Sequence, residues 1–274
     1  MSRHEDSGRL GIQPGSIDTG AGAPRAPAYG DVYFSAGDGL AESRHVFLEG
    51  NELSTRWAHW RKSRPFVIGE TGFGTGRNVL LAWQLFREVA PAAARLHIVS
   101  IERHPLRAAD LLALWRGYPE QAGDAGRIVD QWPALLRGAH RLRLDERVTL
   151  DLIFDDVEAA VAGLDGRIDA WFLDGFAPAR NPAMWSAAVF LGLAAVSRPD
   201  ATFATYSCAR RVRDHATAAG FACKKQPGAG RKREMLRGQR IEPGSDGLVA
   251  AARQRRPWFE PPPAAVPGRV AVIG

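Results

Sequence analysis

The sequence contains no uninterrupted apolar stretch approaching the roughly 20 residues that a membrane-crossing helix needs. Its first fifteen residues, MSRHEDSGRLGIQPG, lack the apolar segment of a secretory signal. These absences predict a cytoplasmic chain with no membrane partner. Only two cysteines occur, Cys208 and Cys223, which form neither a metal-ligand pattern nor a disulfide framework. Two reduced thiols and no metal centre are expected. The glycine-rich segment FVIGETGFGTGRN at 66–78 is not followed by Gly-Lys-Ser/Thr, which excludes a P-loop. Nor does it complete G-x-G-x-x-G, because Arg77 stands where the third glycine would fall.

What is present is enough for a large core. The chain has 274 residues, 45% of them hydrophobic, which suits one large domain or two small ones. Its net charge is +6 with a pI near 9.8, and arginine supplies most of the basic side chains. That excess suits a polyanionic partner without requiring one.

Composition divides the chain. Residues 1–28 are rich in Gly, Pro, Ala and Ser and are expected to lack fixed structure. From Tyr29, YGDVYFSAGDGLAESRHVFLEGNEL reads as a short β-hairpin region leading into a helix over Leu53–Arg61. Short apolar runs then predict strands at Phe66–Glu70, Leu96–Glu102, Val148–Phe154, Ile168–Asp174 and Ala201–Ser207. Helical patterns lie between and after them, at Arg77–Val89, Pro105–Trp115, Arg127–Leu136, Val157–Ala162, Pro182–Val196 and Ala209–Ala219. FACKKQ and REMLRG flank a glycine-rich turn as a terminal antiparallel hairpin. The expectation is an α/β, doubly wound, mostly parallel seven-stranded sheet, its domain covering 29–238. PPPAAVPG marks a linker over 239–268, and RVAVIG at 269–274 reads as the first strand of a further dinucleotide-binding unit. A linker followed by a strand start suggests a chain cut from something longer.

Acids at strand ends narrow the ligand. Glu70 precedes Gly72, Gly74 and Gly76; a carboxylate there would repel a pyrophosphate and attract an ammonium or sulfonium group. S-adenosylmethionine carries both, and glycines let its adenosine approach the backbone closely. Glu102 ends the second strand, where an acid can accept both ribose hydroxyls. Asp156 follows the third and could receive the adenine amino group. Each acid taken alone would serve equally as a helix cap. In AWFLDGFAPARNPAMW, Asp174 emerges from four apolar residues, with Phe176 and Pro178 as a stiff lip. Asp174 is the candidate to orient an amine for methylation and to act as its base, although a cap or turn would also use it. Arg210 and Arg211, with Arg231, Lys232 and Arg233 beyond a flexible turn, suit RNA phosphates, or simply a solvated basic edge. Other transfers on the same scaffold, such as aminopropyl transfer to a polyamine, and a non-catalytic RNA-binding module remain open.

GETGFGTGRN, AWFLDGFAPARNPAMW and AGFACKKQPGAGRKREM together resemble the methyltransferase domain of the bifunctional tRNA 5-methylaminomethyl-2-thiouridine biosynthesis family, as does DVYFSAGDGLAESRHVFLEGNEL. The resemblance spans about residues 29–238. It implies a Rossmann-like class I methyltransferase that uses S-adenosyl-L-methionine to methylate 5-aminomethyl-2-thiouridine at the tRNA wobble position, with the anticodon region of tRNA as partner. Glu70, Gly72, Gly74, Gly76 and Glu102 take cofactor roles in that match, joined by Asn78, and Asp174 sits at the methyl-transfer site. Full-length members carry in cis an FAD-dependent oxidase domain that first removes the carboxymethyl group. RVAVIG looks like the start of that domain, so the oxidative step is not expected here. Two positions depart from the family pattern: Arg77 replaces a usual Leu, and Ala229 a usual Phe. The first sets a cation near the cofactor loop, and the second removes an aromatic that could stack on RNA.

Overall fold

The computed structural model describes residues 11–20, 23–35, 37, 39–230 and 233–241. Two-residue strands β1 (Arg25–Ala26) and β2 (Asp31–Val32) pair antiparallel. Helix α1 (Gly39–Ser43) runs into a π-helical turn, Arg44–Glu49, and α2 (Leu53–Ala58) follows. The expected hairpin region is therefore strand only at its start. From Gly39 onward it is helical up to Ala58, broken only by a turn at 50–52, and buries Val46, Phe47, Leu48, Leu53 and Trp57; three consecutive buried residues mean that the turn at 46–48 is enclosed on most sides.

The remaining elements alternate. They are β3 (Phe66–Thr71), α3 (Arg77–Val89), β4 (Leu96–Glu102), α4 (Ala108–Trp115), α5 (Pro119–Asp130), β5 (Gly138–Arg143), β6 (Val148–Phe154), α6 (Val157–Gly163), β7 (Ile168–Leu173), α7 (Ala187–Ala195), β8 (Ser197–Thr205), α8 (Arg210–Ala218), β9 (Phe221–Pro227) and β10 (Glu234–Arg240). The helix expected over Arg127–Leu136 lies earlier. Pro119 opens it, and Pro133 forbids its continuation.

One sheet holds eight strands in the order β5-β6-β4-β3-β7-β8-β10-β9. Pairings among β6, β4, β3, β7 and β8 are parallel; β5 and the β9–β10 hairpin are antiparallel. The count exceeds the expected seven by β5. Its sequence GAHRLR alternates toward solvent and is held at the sheet edge by Arg141, bidentate at 2.7 Å with Asp151 across the pair. Apolar side chains on opposite faces form two cores. Phe66, Ile68, Trp83 and Phe86 lie in one; Trp171, Val189, Phe190 and Val212 lie in the other.

The order of strand addition switches sides between the parallel β3 and β7, since β4 and β6 extend the sheet to one side of β3 and β7 and β8 to the other. Such a switch point leaves a crevice at the carboxyl ends of the strands. The segment before α1 lies over that end. Gly15 N donates to Pro105 O at 3.0 Å, and Asp18 and Arg25 exchange backbone hydrogen bonds of 2.9 Å. The expectation of no fixed structure over 1–28 thus fails for residues 11–20 and 23–28: the Ile12 and Gly15 amides bond to Leu135 and Pro105, and residues 23–28 are tied to this segment through Arg25 and Asp18. Residues 1–10 lie outside the described residues, as do 242–274, which hold most of the expected linker and the terminal RVAVIG. Gln239 and Arg240, placed in the linker by composition, continue β10. Among the described residues no helix is long and apolar enough to cross a membrane.

Candidate active site

A cavity of about 830 Å³ occupies the crevice. Its floor is the turn after β3. Gly72, at φ +87°, leaves no room for a side chain: a Cβ there would stand 2.9 Å from the Asp174 carbonyl. Gly74 faces the Tyr33 ring and donates its amide to Glu102 Oε2 at 2.8 Å. Both glycines line the cavity. Gly76 does not. It starts α3 in the left-handed conformation and packs against the Phe73 ring, so its role is to turn the chain.

Glu102 reaches the cavity from the end of β4, as expected. Its two oxygens accept the Gly74 and His104 amides, each at 2.8 Å, and this fixes the carboxylate while leaving further lone pairs for a ligand. Asp156 also lines the cavity, but it does what a cap does: Oδ1 accepts from the Glu158 amide at 3.0 Å and starts α6. Its Oδ2 lies 3.4 Å from Arg103.

Glu70 corrects the sequence reading. Its side chain is 0% exposed and does not line the cavity. Ser100 Oγ lies 2.5 Å from Oε2, and Asn78 Nδ2 donates to Oε1 at 3.0 Å. Burial pushes its carboxyl up to about 8, so at neutral pH it is mostly protonated. The argument that a charged Glu70 selects a cationic ligand by direct contact therefore falls. Position decides this: Glu70 is the penultimate residue of a central strand, still under the sheet end, whereas Glu102 ends its strand.

Asp174 follows β7 and opens into the cavity, its side chain 20% exposed. Oδ2 accepts from Asn78 Nδ2 at 2.8 Å, and Oδ1 from the Gly175 amide at 2.9 Å. Phe176 and Pro178 line the same cavity. Phe176 stacks on Tyr29 with ring centroids 4.2 Å apart, and its loop is tied to β2 by Ala177 N donating to Asp31 Oδ2 at 3.2 Å. Tyr29, Tyr33, Phe34 and Glu42 complete this wall. The sequence reading did not include them, although the aromatic run YGDVYF was the available signal. Burial, reinforced by the Glu102 charge, raises the hydroxyls of Tyr29 and Tyr33 above their ordinary value. Tyr206, hydrogen-bonded to Ser43, is pushed up to about 12, chiefly by burial.

Of the basic candidates, Arg210 and Arg211 begin α8 and are exposed; Arg210 lies 3.4 Å from Asp214. Arg233 is exposed just before β10, while Arg231 and Lys232 lie outside the described residues. Gly230, the residue before them, packs against the cavity wall, since a Cβ there would fall 2.0 Å from Oε1 of the cavity-lining Glu42.

The donor set fits a nucleoside with an amino-acid tail. Gly72 and Gly74 open the backbone, Glu102 offers acceptors for hydroxyls, and aromatic rings cover the far wall. Comparison with known proteins agrees. A family model described as S-adenosyl-L-methionine-dependent methyltransferase matches residues 119–241. The tRNA 5-methylaminomethyl-2-thiouridine biosynthesis bifunctional protein MnmC of Chromohalobacter salexigens is 54% identical over 255 residues, 92% of this chain and 36% of that protein. Its counterpart in Pseudomonas savastanoi pv. phaseolicola is 48% identical over 258 residues, 92% of this chain and 38% of that one. The chain thus spans little more than a third of the length of these relatives. The crystal structure of MNMC2 from Aquifex aeolicus shares the fold with a TM-score of 0.66 and 22% identity, over 88% of this chain and 76% of that one. The chain belongs to the S-adenosyl-L-methionine-dependent methyltransferases and corresponds to the N-terminal methyltransferase domain of the bifunctional tRNA 5-methylaminomethyl-2-thiouridine biosynthesis proteins.

Proposed function

We propose that this chain methylates the amine of 5-aminomethyl-2-thiouridine at the wobble position (U34) of tRNA, giving 5-methylaminomethyl-2-thiouridine. The names of the relatives supply the substrate. One observation carries the chemistry: Asp174 opens into the same cavity as the Gly72–Gly74 turn and Glu102. S-adenosyl-L-methionine, when bound, supplies a methyl group on a sulfonium sulfur.

The chain's own groups do the rest. Gly72 and Gly74 admit the nucleoside to the backbone, and Glu102 holds its ribose hydroxyls. An amine attacks only when neutral and in line with the methyl group. Asp174, held from two sides by Asn78 and Gly175, accepts a hydrogen bond from that amine, aims its lone pair and receives its proton. Phe176, Pro178 and the Tyr29 ring exclude water from the slot. Arg210, Arg211, Arg231, Lys232 and Arg233 hold phosphates near the anticodon without reading sequence. A tRNA substrate sets the work in the cytoplasm. Removal of the carboxymethyl group belongs, in this reading, to the FAD-dependent oxidase domain of full-length relatives.

The test is mass spectrometry of nucleosides from tRNA carrying 5-aminomethyl-2-thiouridine, after incubation with this chain and the cofactor. Conversion to the methylated nucleoside is expected. Unchanged nucleoside with a protein that binds the cofactor would reject the substrate assignment.

A further inference from the structure

We infer that Arg77 recognises the carboxylate at the amino-acid end of the cofactor, so that the site selects S-adenosyl-L-methionine over its decarboxylated form. The inference rests on the cofactor reading above and extends it to a residue that departs from the family pattern.

Arg77 is the first residue of α3 and lines the cavity, with its side chain only 5% exposed. A guanidinium has five N–H donors and no neutral state to retreat to at any ordinary pH. Here it makes two long hydrogen bonds, to Tyr33 O at 3.4 Å and to Asp174 Oδ2 at 3.5 Å. Its Nε is buried and has no partner at all. The Phe34 ring, 4.9 Å from the guanidinium carbon, holds the cation in place from one side without satisfying a donor. A buried cation left this short of acceptors is costly unless a ligand completes it. The surroundings define that ligand. α3 has 13 residues, and no side chain caps its first turn, so its amides add positive potential at the same spot. Asp174 supplies only the long 3.5 Å ion pair, through an oxygen that Asn78 already holds at 2.8 Å, and Glu70 is sealed beneath the site, so the Nε donor is left without an acceptor. A planar anion with two acceptors fits a guanidinium best, and the cofactor carries one such group, its carboxylate.

The alternative is that Arg77 only braces Asp174. The two roles separate by ligand. Calorimetry on the whole chain would compare S-adenosyl-L-methionine with decarboxylated S-adenosylmethionine for wild type, Arg77→Leu and Arg77→Lys. Leu is the residue the resembling family pattern carries here, so that variant should fold. Wild type should prefer the carboxylated ligand. Arg77→Leu should weaken it by about 10- to 100-fold and leave the decarboxylated ligand within about twofold, as loss of a charge-assisted contact predicts. Arg77→Lys should recover part of the preference. If both ligands weaken together, or neither changes, the assignment is overturned while the cofactor reading stands. If wild type binds neither, both fall.

Discussion

Asn78 Nδ2 stands 2.8 Å from Asp174 Oδ2, and the same nitrogen lies 3.0 Å from Glu70 Oε1. One amide therefore spans a buried, mostly neutral acid and the acid that opens into the cavity. Asn78 is itself buried, so its two protons have no water to turn to and its orientation is fixed by these acceptors. Replacing it by Ala removes the shortest of the hydrogen bonds that hold Asp174. Turnover on tRNA is expected to fall about 10- to 100-fold, the range of a misplaced acid–base group. Cofactor affinity, measured by calorimetry, should change by no more than a few-fold. A parallel loss of affinity would make Asn78 a cofactor ligand, as the sequence pattern first suggested, and not a positioning residue.

Asp174→Ala should abolish turnover while cofactor affinity stays within about a few-fold, because the variant keeps the turn and Glu102 but loses the group that orients the amine. Asp174→Asn tests the proton separately. It retains the volume and an acceptor oxygen but cannot take a proton, so a variant that keeps most of its single-turnover rate would limit Asp174 to alignment.

Glu70 makes stability fall as pH rises. Its folded value near 8 exceeds the ordinary 4.5, so between those limits the folded chain keeps a proton that the unfolded chain has released. The stabilisation is complete below about 4.5 and is lost as pH climbs through about 8. Glu70→Gln holds the neutral shape at every pH. Urea unfolding from pH 5 to 9 should show the variant gaining on wild type with rising pH, by up to a few kcal/mol at the top. A pH-independent difference would mean that Glu70 is charged in the fold.

Much of this arrangement could be read from the sequence, for physical reasons. The parallel strands are buried on both faces and so appear as apolar runs, and an acid that ends such a run, as Glu102 does, emerges at the ligand edge. Three things could not be read that way. β5 is an edge strand in which Arg141 and Arg143 are exposed while His140, packed 4.9 Å from the Phe154 ring, takes an inward position where an apolar residue would have marked the periodicity. The depth of Glu70 depends on where β3 stops relative to β4 and β7, a matter of register between strands distant in sequence. Residues 11–20 and 23–35 have the composition of a loose tail, yet they take their order from backbone contacts to residues such as Pro105 and Leu135. With that segment came the aromatic wall, Tyr29 and Tyr33, that closes the site.

The basic turn offers a test of the RNA partner that does not depend on catalysis. Gly230, at one end of the turn, packs against the cavity-lining Glu42, and Arg233, at the other end, is exposed just before β10. Each phosphate neutralised by such a side chain releases bound counterion, and the logarithm of affinity falls with the logarithm of salt by about 0.7 to 0.9 per contact. Binding of tRNA should therefore weaken steeply with salt. Substituting Ala at Arg231, Lys232 and Arg233 should flatten that slope by about 2 to 3 if each makes one contact, while affinity for the cofactor is unchanged. Arg210→Ala with Arg211→Ala should flatten it further, because these two exposed residues start α8 just beyond the carboxyl end of β8, on the same edge of the sheet as the cavity. Filter binding over a range of potassium chloride concentrations reads the slope directly. A slope that does not move with the triple substitution would assign the positive charge of this turn to solvent, and tRNA would have to meet the domain elsewhere.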